Sequence, residues 1–114
     1  MTYRVKILRR AVLDVHRIVE YLAIDRQSPQ GARSWYIAYE DALARLSESA
    51  GRMPVAPEDE FVEYEIRHMV FKTKRGHRYR LLYTIIEAEA RILHVRGAEQ
   101  DQLSADEVRS PNDS

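Results

Sequence analysis

The chain has 114 residues, 45% of them hydrophobic and 32% charged, with 18 basic against 18 acidic side chains and no cysteine. One domain's worth of sequence in that balance can bury a core of its own, which excludes disordered and fibrous classes. Without cysteine there are no disulfide staples, thiolate nucleophiles or thiolate metal sites, and no apolar run approaches the ~18 residues of a membrane span.

The amino terminus lacks the continuous apolar stretch and small-residue cleavage site of a signal peptide, so a cytoplasmic protein is expected. Tyr3 to Leu8 alternates apolar and basic residues, the pattern of a half-buried strand. From Arg9 the period lengthens. Val12, Val15, Val19 and Leu22 recur at three and four, predicting an amphipathic helix over about 10–25. Ser28-Pro29 then reads as a cap followed by proline in the first turn. A second helix over about 29–49 carries Ala32, Trp35, Tyr36, Tyr39, Ala42, Leu43 and Leu46 on one face, and Gly51 is its stop. Gly51 to Glu60 is loop by its two prolines, its glycine and its three acids.

Beyond the loop the period becomes two. Phe61 to Phe71 has strand character, and Lys74-Arg75-Gly76-His77 is a turn around Gly76. In the next strand Tyr79, Leu81, Tyr83 and Ile85 alternate with Arg78, Arg80, Leu82 and Thr84. Glu87 to Ala90 reads as a second turn and Arg91 to Arg96 as the last strand, with Ile92, His94 and Arg96 sharing a face. The expected architecture is α+β: an N-terminal strand, an antiparallel helical hairpin on one face of the sheet, then a three-strand antiparallel meander. The amino-terminal strand should join that sheet. Residues 1–103 form the expected domain and 104–114 a polar tail.

The neutral net charge is an average of unlike segments. Between Ile66 and Arg80 stand Arg67, Lys72, Lys74, Arg75, Arg78 and Arg80 with no acid, whereas the stretch from Glu99 onward is acidic. Such a block suits an anionic partner docked at one place. Its bland counterpart is a set of solvated strands that Lys and Arg protect from edge-to-edge pairing. The four histidines show no metal-ligand spacing, the four glycines form no phosphate loop, and no Gly-x-Ser-x-Gly elbow occurs. Glu58-Asp59-Glu60 and Glu87/Glu89 read as solvated turn residues rather than a catalytic acid and base. What remains is cationic chemistry. Arg80 and Arg96 could converge on one anion if their strands pair, or Arg80 could salt-bridge a helix acid such as Asp14 or Glu20. His94 reads as a hydrogen-bonded structural histidine and Tyr83 as core.

Six words in order carry a resemblance: Ile18-Val19-Glu20-Tyr21-Leu22, Ser28-Pro29-Gln30-Gly31-Ala32, the proline loop Gly51 to Glu58, Ile66-Arg67-His68-Met69-Val70-Phe71, Tyr79-Arg80-Leu81-Leu82-Tyr83 and Ile92-Leu93-His94-Val95-Arg96-Gly97. Together, over residues 2–98, they resemble the RelE/ParE toxin superfamily of type II toxin–antitoxin systems, formerly called plasmid stabilisation proteins. The resemblance implies a cognate antitoxin as partner, no cofactor, no metal and no membrane, and leaves a homodimer open. It also implies one of two activities. The RelE branch cuts messenger RNA on the ribosome with arginines and lysines that steady the phosphoryl transition state, for which Arg80, Arg96 and Lys74 are the candidates here. The ParE branch binds DNA gyrase without catalysis, for which Arg67, Lys72, Lys74, Arg75, Arg78, Arg80 and Arg96 are the candidate target-binding residues.

Departures from the ribonuclease pattern favour the second. Arg96 is followed by the acidic run Gly97 to Leu103, and no Tyr or His follows His94 to carry a proton. An inactive relative serving as a protein-interaction module is the remaining reading.

Overall fold

A computed structural model describes residues 2–61, 64–74 and 76–97. Strand β1 (Arg4–Ile7) leads into helix α1 (Arg9–Glu20), a wider turn (Tyr21–Asp25) and helix α2 (Pro29–Ser49). Strands β2 (Arg67–Lys72), β3 (Arg78–Ile86) and β4 (Glu89–Gly97) follow. The fold is α+β. Its sheet has the order β1-β4-β3-β2, in which the last three strands form an antiparallel meander. β1 joins parallel to β4, from Arg4 opposite Glu89 to Ile7 opposite Ile92. Four residues of strand cannot hold themselves extended. Against β4 they can, and Val5 and Ile7 then pack on the helix-side core.

Local chemistry explains the elements. The Ser28 hydroxyl accepts the Gly31 N–H at 3.0 Å and Pro29 sits in the first turn of α2, so its missing N–H costs nothing. Regular winding in α1 stops at Glu20, earlier than the apolar stripe suggests, and the stripe continues through the wider turn Tyr21–Asp25. The β3–β4 hairpin turns on two residues, Glu87 and Ala88, at φ 50° and 65°. This mirror-image turn matches the twist of the strands it joins, so Glu89 and Ala90 already belong to β4. Gly76, at φ 85°, turns the β2–β3 hairpin where other side chains would be strained.

The helices cover one face of the sheet. Trp35 and Tyr39 of α2 stack at 5.3 Å between ring centroids, Tyr79 meets Trp35 edge-on at 5.5 Å, and Phe71 lies beside all three. Leu46, Leu81, Tyr83 and Ile92 complete a buried interior, where the Tyr83 hydroxyl donates to the Ala50 carbonyl at 2.6 Å.

The other face is not left to solvent. Ala56, Ile66 and Tyr64 from the loop before β2 pack on Leu8, Leu82 and Leu93. The loop is fastened by backbone bonds from Ala56 to Ile66 at 2.8 Å and from His68 to Pro54 at 3.1 Å, and by the Asp59 carboxylate accepting the Ile66 N–H at 2.8 Å.

Three expectations are corrected. Strand pairing after the loop begins at Arg67 rather than Phe61, because Pro57–Phe61 winds into a 3₁₀ turn that the Asp59 bond closes. Ile92 and His94 do not share a face. A bulge between Leu82 and Tyr83 in the register sets Leu82 opposite His94 but Tyr83 opposite Ile92, so Ile92 enters the helix-side core. Glu58 is no solvated turn residue; it is completely buried. The tail 104–114 and the boundary at 103 lie outside the described residues.

Candidate functional site

Folding divides the basic block into three parts. Arg67 holds the loop: its Nη1 donates to the Met53 carbonyl and its Nε to Glu65 at 2.8 Å. Lys72, Lys74 and Arg78 are exposed around the β2–β3 hairpin, with Lys72 and Arg78 directly cross-strand. Arg75, between them in sequence, lies outside the described residues.

Arg80 is the third part. It points to the loop-covered face, where its Nη2 lies 2.7 Å from one Glu58 oxygen and its Nη1 3.1 Å from the other. The two side chains are 8% and 0% exposed, so this is a buried two-pronged ion pair between β3 and the 3₁₀ turn. Arg80 Nη1 also lies 3.3 Å from His68 Nδ1. A guanidinium only donates, so His68 accepts there and is neutral, with its proton on Nε2. Burial lowers the His68 pKa first and the Arg80 charge lowers it further, while Glu58 pulls the other way.

Arg96 stands opposite Arg80 across the β3–β4 pair, as the convergence argument requires, and is half-buried. Their side chains nevertheless serve different places: Arg80 is clasped by Glu58, whereas Arg96 lines a cleft toward α1. Asp14, a suggested partner of Arg80, is used elsewhere. One of its carboxylate oxygens accepts the Val95 N–H at 3.0 Å and lies 3.1 Å from His94 Nδ1. His94 is thus buried and hydrogen-bonded.

Between α1 and α2, Val12, Val15, Val19, Tyr36, Tyr39 and Leu43 line a groove of about 550 Å³ that His16, Glu20 and Glu40 also border. Tyr36, expected on the core face with Trp35 and Tyr39, is instead 43% exposed there, because it lies next to Trp35 in sequence and so about 100° round the helix, while the other two belong to the core. The Tyr39 phenol is pushed up to about 12, chiefly by burial and then by Tyr36 and Glu40, so it acts as a neutral lining group. Among the described residues, no helix is long and apolar enough to cross a membrane.

Glu58 is the residue that sequence reasoning missed. An arginine at an inward position of a nine-residue strand, between Tyr79 and Leu81, demands a buried acid. That demand was readable; its source in a loop of three acids was not.

No family model matches the chain, and no curated protein matches it in sequence. Its fold does have a solved counterpart. A chain of the structure described as the chromosomal ParDE TA system from P. aeruginosa superposes with a TM-score of 0.64, over 86% of this chain and 98% of that one. At 18% identity the two are alike in fold.

Proposed function

We propose that this chain is the toxin of a type II toxin–antitoxin pair and that it acts in the ParE manner, binding and inhibiting DNA gyrase in the cytoplasm until a cognate antitoxin captures it. The fold likeness to a ParDE chain and the six sequence words support the general assignment. The choice of branch is carried by one observation: Arg80, the strand arginine that phosphoryl chemistry would need, is closed in an ion pair with Glu58. A ribonuclease needs that guanidinium facing the scissile phosphate. A binder does not.

In this reading Arg67 and Arg80 build the scaffold, while Lys72, Lys74, Arg75 and Arg78 present charge to the target. The groove between α1 and α2, apolar along Val12, Val19 and Leu43 and bordered by Glu20 and Glu40, suits an amphipathic antitoxin helix, which would bury Val12 and Tyr36. Two assays on one preparation test the proposal. The purified chain is expected to block gyrase supercoiling and to leave translated message on ribosomes uncut. Substituting Lys72, Lys74 and Arg75 together by Gln should abolish the block while the fold persists. Ribosome-dependent cleavage that vanishes in Arg80→Ala, with gyrase unaffected, would overturn the reading.

A further inference from the structure

The parallel pairing of β1 with β4 ends at Ile7 and Ile92, and the chain then leaves the sheet as α1. Among the described residues, the rest of β4 therefore has no strand on that side. Asp14 takes over there by accepting the Val95 N–H. Around this exchange lies a cleft of about 230 Å³, lined by Arg10, Asp14, Arg17, His94 and Arg96. Arg10, Asp14 and Arg17 are spaced by four and three, so they form one stripe of α1 turned toward β4. Three guanidinium groups thus surround one small opening.

Two features separate this cleft from a solvated charged face. Its carboxylate is already engaged, since Asp14 Oδ2 holds both the Val95 N–H and His94 Nδ1. Neither Arg10 nor Arg17 pairs with an acid among the described residues, although Asp14 stands one turn from each. Moreover, Arg10 Nε is buried and has no hydrogen-bond acceptor among the described residues. A buried guanidinium donor without an acceptor costs free energy that a bound anion would recover.

We propose that the α1–β4 cleft is a phosphate-binding site. Guanidinium forks suit carboxylate and phosphate alike, but one fork satisfies a planar carboxylate. Arginines converging from a helix and a strand suit a tetrahedral anion with several acceptor oxygens. The volume admits a phosphate with part of its ester and falls below the roughly 300 Å³ of a drug-sized ligand site. The phosphate belongs either to a free nucleotide or to a nucleic-acid backbone; both offer the same oxygens. This site is separate from the hairpin charge and the apolar groove, and stands whether or not gyrase is the target.

The test is a titration of the whole chain with inorganic phosphate, 5′-AMP and a short oligonucleotide at constant ionic strength, followed through the arginine Nε–Hε resonances. Phosphate is expected to shift the Arg10 and Arg17 signals saturably, with sodium acetate and chloride at least tenfold weaker. Arg10→Gln with Arg17→Gln should weaken phosphate at least tenfold while the amide spectrum stays folded, and Arg17→Lys should recover part of the loss. AMP binding tighter than the oligonucleotide assigns the phosphate to a nucleotide, and the reverse order assigns it to a strand. Wild-type arginine signals that do not move, that respond equally to acetate, or that saturate unchanged in a folded double variant would each overturn the proposal.

Discussion

The helix-covered face of the sheet is held by aromatic and aliphatic packing: Trp35 on Tyr39, Tyr79 and Phe71, with Leu46, Leu81 and Ile92 beneath. Across the sheet, a loop presses Ala56 and Ile66 onto Leu82 and Leu93 and is stapled by Glu58 to Arg80, with His68 alongside. The first face tolerates the loss of any one contact in proportion to the volume removed. The second contains charges taken out of water, whose cost is met only while both partners are present. The contrast bears on the proposed function, because it closes the most conspicuous arginine of the basic block in a buried ion pair.

The sharpest way to break the contrast is to remove one charge. Glu58→Ala should cost about 3–5 kcal/mol, because it strands the Arg80 guanidinium in the interior. Trp35→Ala should cost a similar amount, about 3–5 kcal/mol, by opening a cavity. The two losses differ in how they are repaired. Glu58→Leu combined with Arg80→Met should return stability close to wild type, since apolar replacements of a whole buried pair are often neutral. A urea-unfolding cycle measures this, and a Glu58 loss that persists in the double variant would mean that packing, not charge, fastens the loop.

A smaller effect probes the polar contact on the helix side. Tyr83→Phe leaves the buried Ala50 carbonyl without its 2.6 Å donor and should cost about 1–2 kcal/mol, well below the ion-pair loss. A cost as large as that of Glu58→Ala would erase the distinction between the faces.

The smallest effect is a pH dependence confined to the loop-covered face. The folded pKa of His68 lies below its ordinary value near 6.5, so the unfolded chain binds more protons as pH falls through that value. Stability is therefore complete above about pH 6.5 and declines on acidification toward the folded pKa. His68→Gln should flatten this slope in thermal melts between pH 7 and 5, with Trp35→Ala leaving it unchanged.

The two faces were not equally legible from sequence. The helix side is written in periodicity: Trp35, Tyr39, Ala42 and Leu46 at helical spacing, Leu81 and Tyr83 at strand spacing. The cap at Ser28-Pro29 and the turn at Gly76 were equally plain, because each follows from one residue's conformational limits. The loop-covered face has no period. Glu58 is one of three adjacent acids, and only the 3₁₀ turn of Pro57–Phe61 selects it over Asp59 to enter the interior. The bulge that sets Leu82 opposite His94 and Tyr83 opposite Ile92 was hidden for the same reason, since nothing in Ile92-Leu93-His94 marks where alternation skips. The site was legible as composition and not as arrangement: the block of cations was evident, its division into scaffold and surface was not. Arg10 and Arg17, four and three residues from Asp14 on α1, drew no notice because a charged helix stripe ordinarily faces water.

Under the proposed function Arg80 holds the fold through Glu58 and leaves the target to the exposed hairpin cations. The most direct measurement is gyrase supercoiling in the presence of the Glu58→Leu, Arg80→Met double variant, with its folded state verified by circular dichroism and urea unfolding. Inhibition is expected at the same concentration as wild type, whereas the variant with Lys72, Lys74 and Arg75 all changed to Gln is expected to be inert. A folded double variant that no longer inhibits would contradict it and place Arg80 at the target-contacting surface.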